Sequence, residues 1–376
     1  TTKAYVLLRE TSRNNTVFDS IDGQIPAAGD NTIIVSPNIG NTTTTYQNTD
    51  LNSCTQYNYL IVPYCWNGSD AATYNYLTTD APTTSGTTLK DEPSNYTTNF
   101  RTGTITTNSI ELLWTDSQEI NPCLLPNGYL IRGSKVSYAS ITSPVDGTPV
   151  SDAGLDKNIL PGLEEYNFSS LRPGVQYYFK IYPYSNSGLN INYKTDGTVQ
   201  QTTGTVTQIP EVWVSGSYCE LCPNGGHTWH YDAYDNMAEA LIAVQEGGTI
   251  HTDGLVTSEN INLDNYNLTI ENGDLFITGN ITGEGYIETE GTGYLILQTN
   301  GTRKSFPVGF NGQKYEVTVE WSGGGANEEF KVRINNSSSA HIVSLSGSLW
   351  YIEGPSGKNA TLKLFFPKSM FPNGFP

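Results

Sequence analysis

Positive charge and sulfur are both scarce in this chain of 376 residues. It carries 19 Lys and Arg against 37 Asp and Glu, a formal charge of −18. Nucleic acid and anionic membrane reward clustered Lys and Arg, so this balance argues against both as partners. No apolar run is long enough to cross a bilayer as a helix, and no charged, apolar, small-residue leader stands at the start. Gly-x-Ser-x-Gly, His-Glu-x-x-His and a phosphate-cradling Gly-Lys-Ser/Thr loop are all missing, which removes the common signatures of hydrolases, metalloproteases and nucleotide-binding enzymes. Only two methionines and five cysteines occur, and an odd cysteine count leaves at least one unpaired within the chain or paired outside it.

What is abundant points to short strands. The sequence holds 37 Gly, 19 Pro and 24 Tyr among long Thr/Asn/Ser runs, a composition of tight turns between strands with little helix. Its length suits two to four domains. Acidity keeps an extracellular protein soluble and leaves carboxylates available to divalent cations such as calcium. Sequons at Asn41, Asn95, Asn167, Asn267 and Asn359 fit an extracellular chain, but arise by chance in so polar a sequence and are not read as glycans.

One strand is written twice. Tyr57-Asn-Tyr-Leu-Ile-Val-Pro-Tyr64 and Tyr177-Tyr-Phe-Lys-Ile-Tyr-Pro-Tyr184 share one pattern, Ala4-Tyr-Val-Leu-Leu-Arg9 answers Gly128-Tyr-Leu-Ile-Arg132, and Asp22-Gly23 answers Asp146-Gly147. Leu51 precedes Tyr57 by six residues, as Leu171 precedes Tyr177, the spacing of a tyrosine corner in immunoglobulin-like sandwiches. With Leu171-Arg-Pro-Gly-Val-Gln-Tyr177 and Ile110-Glu-Leu-Leu-Trp114, the repeat resembles the fibronectin type III family. That resemblance implies two β-sandwich modules, at 1–85 and 92–206. Copy one opens on the strand equivalent to residues 128–132 and lacks the two strands before it. A sandwich without them exposes core and an open edge, so the natural chain is expected to continue upstream of Thr1. Copy one also has Leu51-Asn-Ser-Cys-Thr-Gln-Tyr57 in place of the Pro-Gly loop, which predicts a looser corner. Between the copies, residues 80–93 read as a solvated, proline-stiffened connector.

After residues 204–210 the pattern changes. Residues 235–246 predict the one convincing helix, capped by Asp235 or Asn236, with Met237, Ala240, Leu241 and Val244 on one face and Gly247-Gly248 as a stop. Short strands follow at even intervals, at 249–251, 261–263, 268–270, 275–277, 286–287 and 294–297, each with one or two inward apolar residues and a Gly/Asn/Asp turn. This is the rhythm of stacked coils in which no single turn buries its own face. The helix, Gly-Gly, Thr-Ile and Asn-Ile-Asn-Leu sequence resembles the N-terminal cap and first coils of pectate-lyase-like right-handed parallel β-helices, which implies such a domain over 207–303. Beyond it, Tyr315-Glu-Val-Thr-Val-Glu-Trp321 and Phe330-Lys-Val-Arg-Ile334 around Gly323-Gly-Gly-Ala-Asn327 predict a hairpin in a truncated β-sandwich at 304–376. Gly-Thr-Gly-x-Leu, Ser305-Phe-Pro-Val-Gly309 and Phe-x-Val-Arg, with Pro144-Val-Asp-Gly-Thr-Pro149 and Asn192-Tyr-Lys-Thr-Asp-Gly-Thr198, resemble modules of large surface proteins exported by the type IX secretion pathway. The fold class expected is therefore all-β.

Candidate chemistry is thin. Cys219, Cys222, His227 and His230 form a turn-rich cluster that could close a structural tetrahedral zinc site. The spacing matches no common finger, and a Cys219–Cys222 disulfide or a plain loop is the favoured reading. Such a site would leave no open position for a catalytic water. Cys54 and Cys65 flank one strand, which rises ~3.3 Å per residue, too far apart to bond each other; Cys65, placed in the turn after that strand, and Cys123 allow an interdomain staple. Glu284, Glu288 and Glu290 offer paired acids and Asp264 and Asp274 cation ligands, although Glu288 and Glu290 on one side of a strand also describe a solvated face.

The function expected is a non-catalytic segment of a large bacterial cell-surface protein, an adhesin or stalk associated with the outer membrane and with surface attachment or gliding motility. Its partners would be surface glycans or other cell-surface proteins, the translocon during export, and neighbouring domains of its own chain. Weak contacts repeated along the chain would give avidity, with Tyr and Trp stacking on sugars. The alternative is a set of accessory or glycan-binding modules belonging to a secreted polysaccharide-degrading enzyme or nuclease whose catalytic domain lies outside this segment. A third reading makes the coil segment a glycan-binding groove.

Overall fold

Strict alternation builds the second repeat. In the strand Ile110–Thr115, Ile110, Leu112 and Trp114 are buried and the residues between them half-exposed, the period-two signature of a sheet with one face in a core. A computed structural model describes residues 2–10, 21–26, 28, 32–36, 45–258, 260–264, 266–299, 303–310, 312–321, 328–335, 349–354 and 360–365. The sequons at Asn41 and Asn359 and the turn at 323–327 lie outside the described residues.

The second module is a fibronectin type III-like β-sandwich. One sheet orders Glu165–Phe168, Ile110–Thr115 and Thr98–Ile105. The other orders Asn192–Tyr193, Gln176–Ser185, Gly128–Ser134 and Lys157–Ile159, with Gln200–Thr205 also on Gln176–Ser185. Between them lies a core of Ile110, Leu112, Trp114, Tyr129, Ile131, Phe179 and Ile181. The outer face of the second sheet carries a smaller cluster of Leu130, Tyr182, Ile191 and Tyr193.

The first repeat reproduces that second sheet strand for strand. Thr32–Ser36, Thr2–Glu10, Gln56–Trp66 and Asn75–Tyr76 pair in order, with Thr83–Thr87 also on Gln56–Trp66. Registers match: Tyr5 opposes Pro63 as Tyr129 opposes Pro183, Tyr57 opposes Gly86 as Tyr177 opposes Gly204, and Tyr64 opposes Tyr76 as Tyr184 opposes Tyr193. The duplicated Asp-Gly does the same work in each copy. Asp22 Oδ1 accepts from the Tyr76 N–H at 2.8 Å, and Asp146 Oδ1 from the Tyr193 N–H at 2.7 Å.

The difference between the copies lies in the other layer. Among the described residues the first module has no counterpart of the three-stranded sheet. Its outer-face cluster of Leu60, Val62, Tyr64, Tyr74 and Tyr76 is intact, but Ile61 is 39% exposed where its equivalent Ile181 is fully buried. The corner itself is not looser, contrary to expectation. The Tyr57 hydroxyl accepts from the Asn52 N–H at 2.9 Å and the Tyr177 hydroxyl from the Arg172 N–H at 3.0 Å, because the bond needs only a backbone N–H from the loop.

The remainder of the chain coils. Strands pair in parallel across successive turns, Val212–Ile250–Leu268–Ile287–Val308 forming one inward row and Val256–Leu275–Leu295 another. Both rows are buried. Polar turn residues repeat twenty positions apart: Asn260 Oδ1 accepts from the Asn280 N–H, Asp264 Oδ1 from Glu284, and Asp274 Oδ1 from Tyr294. At one corner Gly254, Gly273 and Gly293 stack so closely that a Cβ on Gly273 would lie 2.1 Å from the Gly254 carbonyl carbon, a column that only glycine fits.

Two expectations need correction here. The helix spans Met237–Ala243, with Asn236 Oδ1 capping the Glu239 N–H. The strand Val244–Thr252 begins at once and runs through Gly247-Gly248, so the glycines bend a strand instead of stopping a helix. The expected hairpin is not one. Gln313–Trp321 pairs with Lys304–Phe310 and Ala360–Phe365, whereas Glu328–Asn335 pairs with Leu295–Thr299 and Leu349–Glu353 in a different sheet. The buried residues of the two strands belong to one core. Consequently the segments read as separate units at 207–303 and 304–376 share one core, continuous from Ile209 to Ile334.

Candidate functional site

The Cys219–His230 segment does not gather its four donors. Cys219 and Cys222 are joined to each other, their Cα atoms 5.1 Å apart, so no thiolate is left for a metal. The buried Asn224 ties this turn with two backbone bonds to Cys219, each 2.9 Å. His227 stacks on Trp213 at 3.9 Å between ring centroids and meets Asp232 Oδ2 through Nδ1 at 3.2 Å. Trp213 also stacks with His251, 4.7 Å away, whose Nδ1 contacts Glu271 at 2.7 Å. His230 turns elsewhere, to Arg172 and Glu239. No group of three His, Cys, Asp or Glu suited to a metal occurs among the described residues, and Cys219, Cys222, His227 and His230 are not brought together as one donor set.

The carboxylates singled out in the coils have structural tasks. Asp264 and Asp274 cap the next turn, and Asp274 also pairs with Lys331 at 3.3 Å. Glu288 accepts from the Gly312 N–H at 2.8 Å. Glu288 and Glu290 do share a face, lining an open cavity of about 470 Å³ with Tyr286 and Phe310. Glu284 does not line that cavity.

Two polar constructions lie at the module junctions. Between the first two modules, Cys54 bonds to Cys123, with Cα atoms 5.5 Å apart and 69 residues between them in sequence. The staple therefore uses Cys54, not Cys65, which sits within the strand Gln56–Trp66 as an exposed free thiol. Beside it, Asn186 receives the Lys90 N–H at 2.9 Å and donates to the Lys90 carbonyl at 2.8 Å, and Lys90 Nζ donates to the Leu125 carbonyl at 3.1 Å.

The second junction is ionic. Arg172 Nη1 reaches Glu239 at 3.2 Å, Glu239 meets His230 Nε2 at 3.1 Å, and Arg172 Nη2 faces His230 Nδ1. A guanidinium can only donate, so Nδ1 accepts and the ring proton resides on Nε2, directed at Glu239. Burial, then the neighbouring Arg172 charge, lowers the His230 pKa, with Glu239 opposing. Gln208 Nε2 donates to the Ile242 carbonyl at 2.9 Å, and the Thr107 and Tyr231 hydroxyls meet at 3.1 Å. Gly174, at φ +71°, sits so close to the helix that a Cβ would lie 1.8 Å from the Ile242 carbonyl oxygen.

Both junctions use the same part of the repeat. Cys54 and Gly174 each stand three residues after the corner leucine, and each has a left-handed backbone, φ 51° and 71°. The N–H of each bonds to the strand end beyond it, Cys54 to the Leu89 carbonyl at 2.8 Å and Gly174 to Val206 at 3.0 Å. The corner loop is where each module meets the next. Sequence reading missed this, although the substitution of Cys for Gly at the equivalent position was visible.

No protein-family model matches the chain, and no curated protein matches it. Solved structures similar to parts of it include the FN1–FN3 domains of chicken CNTN1, at 11% identity and TM-score 0.28 over 55% of this chain and 57% of that one. Others are an fn3 domain of human contactin 1, at 14% identity and TM-score 0.23 over 32% of this chain and 85% of that one, and a computationally redesigned β-sandwich, at 15% and 0.20 over 30% and 90%. The chain thus spans little more than half of the chicken fragment. At such scores the fold rests on the strand order and paired tyrosine corners described above.

Proposed function

We propose that this chain is a structural, adhesive segment of a large extracellular bacterial surface protein of the type exported by the type IX pathway, acting as coupled modules that carry load and multiply weak contacts. In this reading the stacked coils are a short right-handed parallel β-helix, and the helix Met237–Ala243 is its N-terminal cap. The carrying observation is the build of the junctions. A covalent bond at Cys54–Cys123 and an ion-paired clamp at Arg172–Glu239 couple modules that a mere accessory array could leave on free linkers. Two disulfides also suit an oxidising compartment. The test is the denatured mass of the native polypeptide, detected on intact cells and in culture medium with an antibody against residues 92–206. A cell-bound species many times larger than 376 residues supports the stalk. A released species of ordinary enzyme size refutes it and favours the accessory-module reading, for which the cavity of Tyr286, Glu288, Glu290 and Phe310 offers a glycan surface.

A further inference from the structure

The second junction forms an open cleft of about 760 Å³, walled by the corner loop and Lys135 on one side and by Thr228–Tyr231 on the other. That volume falls within the roughly 300–1,000 Å³ typical of small-molecule sites. In a protein of charge −18 its lining is unusual, for Lys135 and Arg172 meet there beside the neutral His230 ring against a single lining carboxylate, Glu220. Arg172 is satisfied by Glu239 and by His230. Lys135 has no ion-pair or hydrogen-bond partner among the described residues, and partial burial and the nearby Arg172 charge lower its pKa, with the Glu239 charge opposing. An unpaired ammonium beside a guanidinium is relieved when an anion settles between them and the solvent.

The rest of the wall selects the kind of anion. Trp229 lines the cavity with one face against the His230 ring, 4.1 Å between centroids, and indole surfaces pack well against apolar faces that carry polar edges. Ser169, Ser170 and Asn108 line the same space, and residues of these types offer donors and acceptors. Free phosphate would use neither, and it prefers a bidentate guanidinium fork, whose two ends in Arg172 are already taken by Glu239 and His230. We propose that this cavity binds the carboxylate-bearing unit of an acidic saccharide, a uronic or sialic acid, with Lys135 as its ion partner, Trp229 as its stacking surface and Ser169, Ser170 and Asn108 as hydroxyl partners.

Titration calorimetry on the whole chain tests this with tri-galacturonate and sialyllactose as probes, and with maltotriose and inorganic phosphate as controls. The expected result is saturable binding of at least one acidic saccharide, weakened about tenfold by Lys135→Ala, the loss of one charge-assisted contact, and retained by Lys135→Arg. Trp229→Ala weakens binding of the same probe. The proposal is overturned if neither acidic probe binds, if maltotriose or phosphate binds as well as they do, or if Lys135→Ala leaves affinity unchanged. Because Lys135 is exposed, its replacement does not threaten folding. Failure here leaves the stalk reading standing, since that reading is decided by the size and location of the native polypeptide.

Discussion

Breaking the Cys54–Cys123 bond should change how the chain extends under force by an amount the sequence separation fixes. The bridge spans 69 residues, taking in the last three strands of the first module, the residues that join the modules, and the first two strands of the second. An extended chain spans at most about 3.3–3.6 Å per residue, so the intact bridge hides roughly 240 Å of contour from a pull applied at the two ends. The second bridge, Cys219–Cys222, hides only 3 residues, on the order of 10 Å, and does not confuse the reading. On the chain-entropy account the longer bridge also stabilises the joined modules by ~4 kcal/mol. The assay is single-molecule pulling of the 376-residue chain, with Cys65 replaced by Ser to prevent thiol exchange, before and after reduction. The total contour released should grow by roughly 240 Å on reduction, and the Cys54→Ser/Cys123→Ser variant should match the reduced chain without added reductant. Equal contour lengths in the two states would refute the pairing, and with it the claim that the first junction is covalently coupled.

Two further outcomes follow from the same geometry. Ile181→Ala removes a fully buried side chain from between two sheets and should cost about 3 kcal/mol, whereas Ile61→Ala, at the equivalent but 39% exposed position, should cost well under half of that. Calorimetry of the whole chain with resolved transitions checks this, and equal costs would mean that the inner face of the first module is as well covered as that of the second. The clamp at the second junction should weaken with acid. His230 has a folded pKa below its ordinary value of about 6.5, through burial and Arg172, while Glu239 and Asp235 pull it upward and Lys135 adds to the lowering. The unfolded or undocked state therefore binds the extra proton first, so this contribution is full above about pH 6.5 and declines as pH falls through that value towards the folded pKa. Hydrogen exchange at the Arg172 and Gly174 amides should speed up over that window, and His230→Gln should flatten the dependence; a clamp that tightens with acid would contradict the tautomer assigned from Arg172.

What the sequence disclosed and what it withheld divide along a physical line. Strand patterns, the twin tyrosine corners and the Asp-Gly repeat were legible because each is written within a few residues, as period two or as fixed spacing to a buried ring. Pairing partners were not. Gln313–Trp321 and Glu328–Asn335 are both alternating strands, but alternation shows that a segment has an inner face and is silent on which sheet receives it. The Gly247-Gly248 pair looked like a helix stop because a glycine pair punctuates a helix and bends a strand equally well. His227 and His230 stood close in sequence, yet one joins Trp213 and the other Arg172, since the backbone turns at His230, φ 59°. Arg172 and Glu239 lie 67 residues apart, with no local signal to link them.

The corner loop explains why a repeat can diverge in sequence and still couple modules. Tyr57 and Tyr177 hold the loop by its backbone alone, which leaves its side chains free to vary. The third residue after the leucine is forced into the left-handed region at the very place where the next module arrives. Glycine takes that conformation without steric cost and lets a carbonyl approach, as Ile242 does at Gly174. Cysteine pays a strain of about 1 kcal/mol or more there, a cost that a bond closing a 69-residue span more than offsets. One backbone geometry thus supports two fastening chemistries. The choice between them rests on a single residue, Cys54 or Gly174, and on whether its neighbour presents a thiol or a helix end.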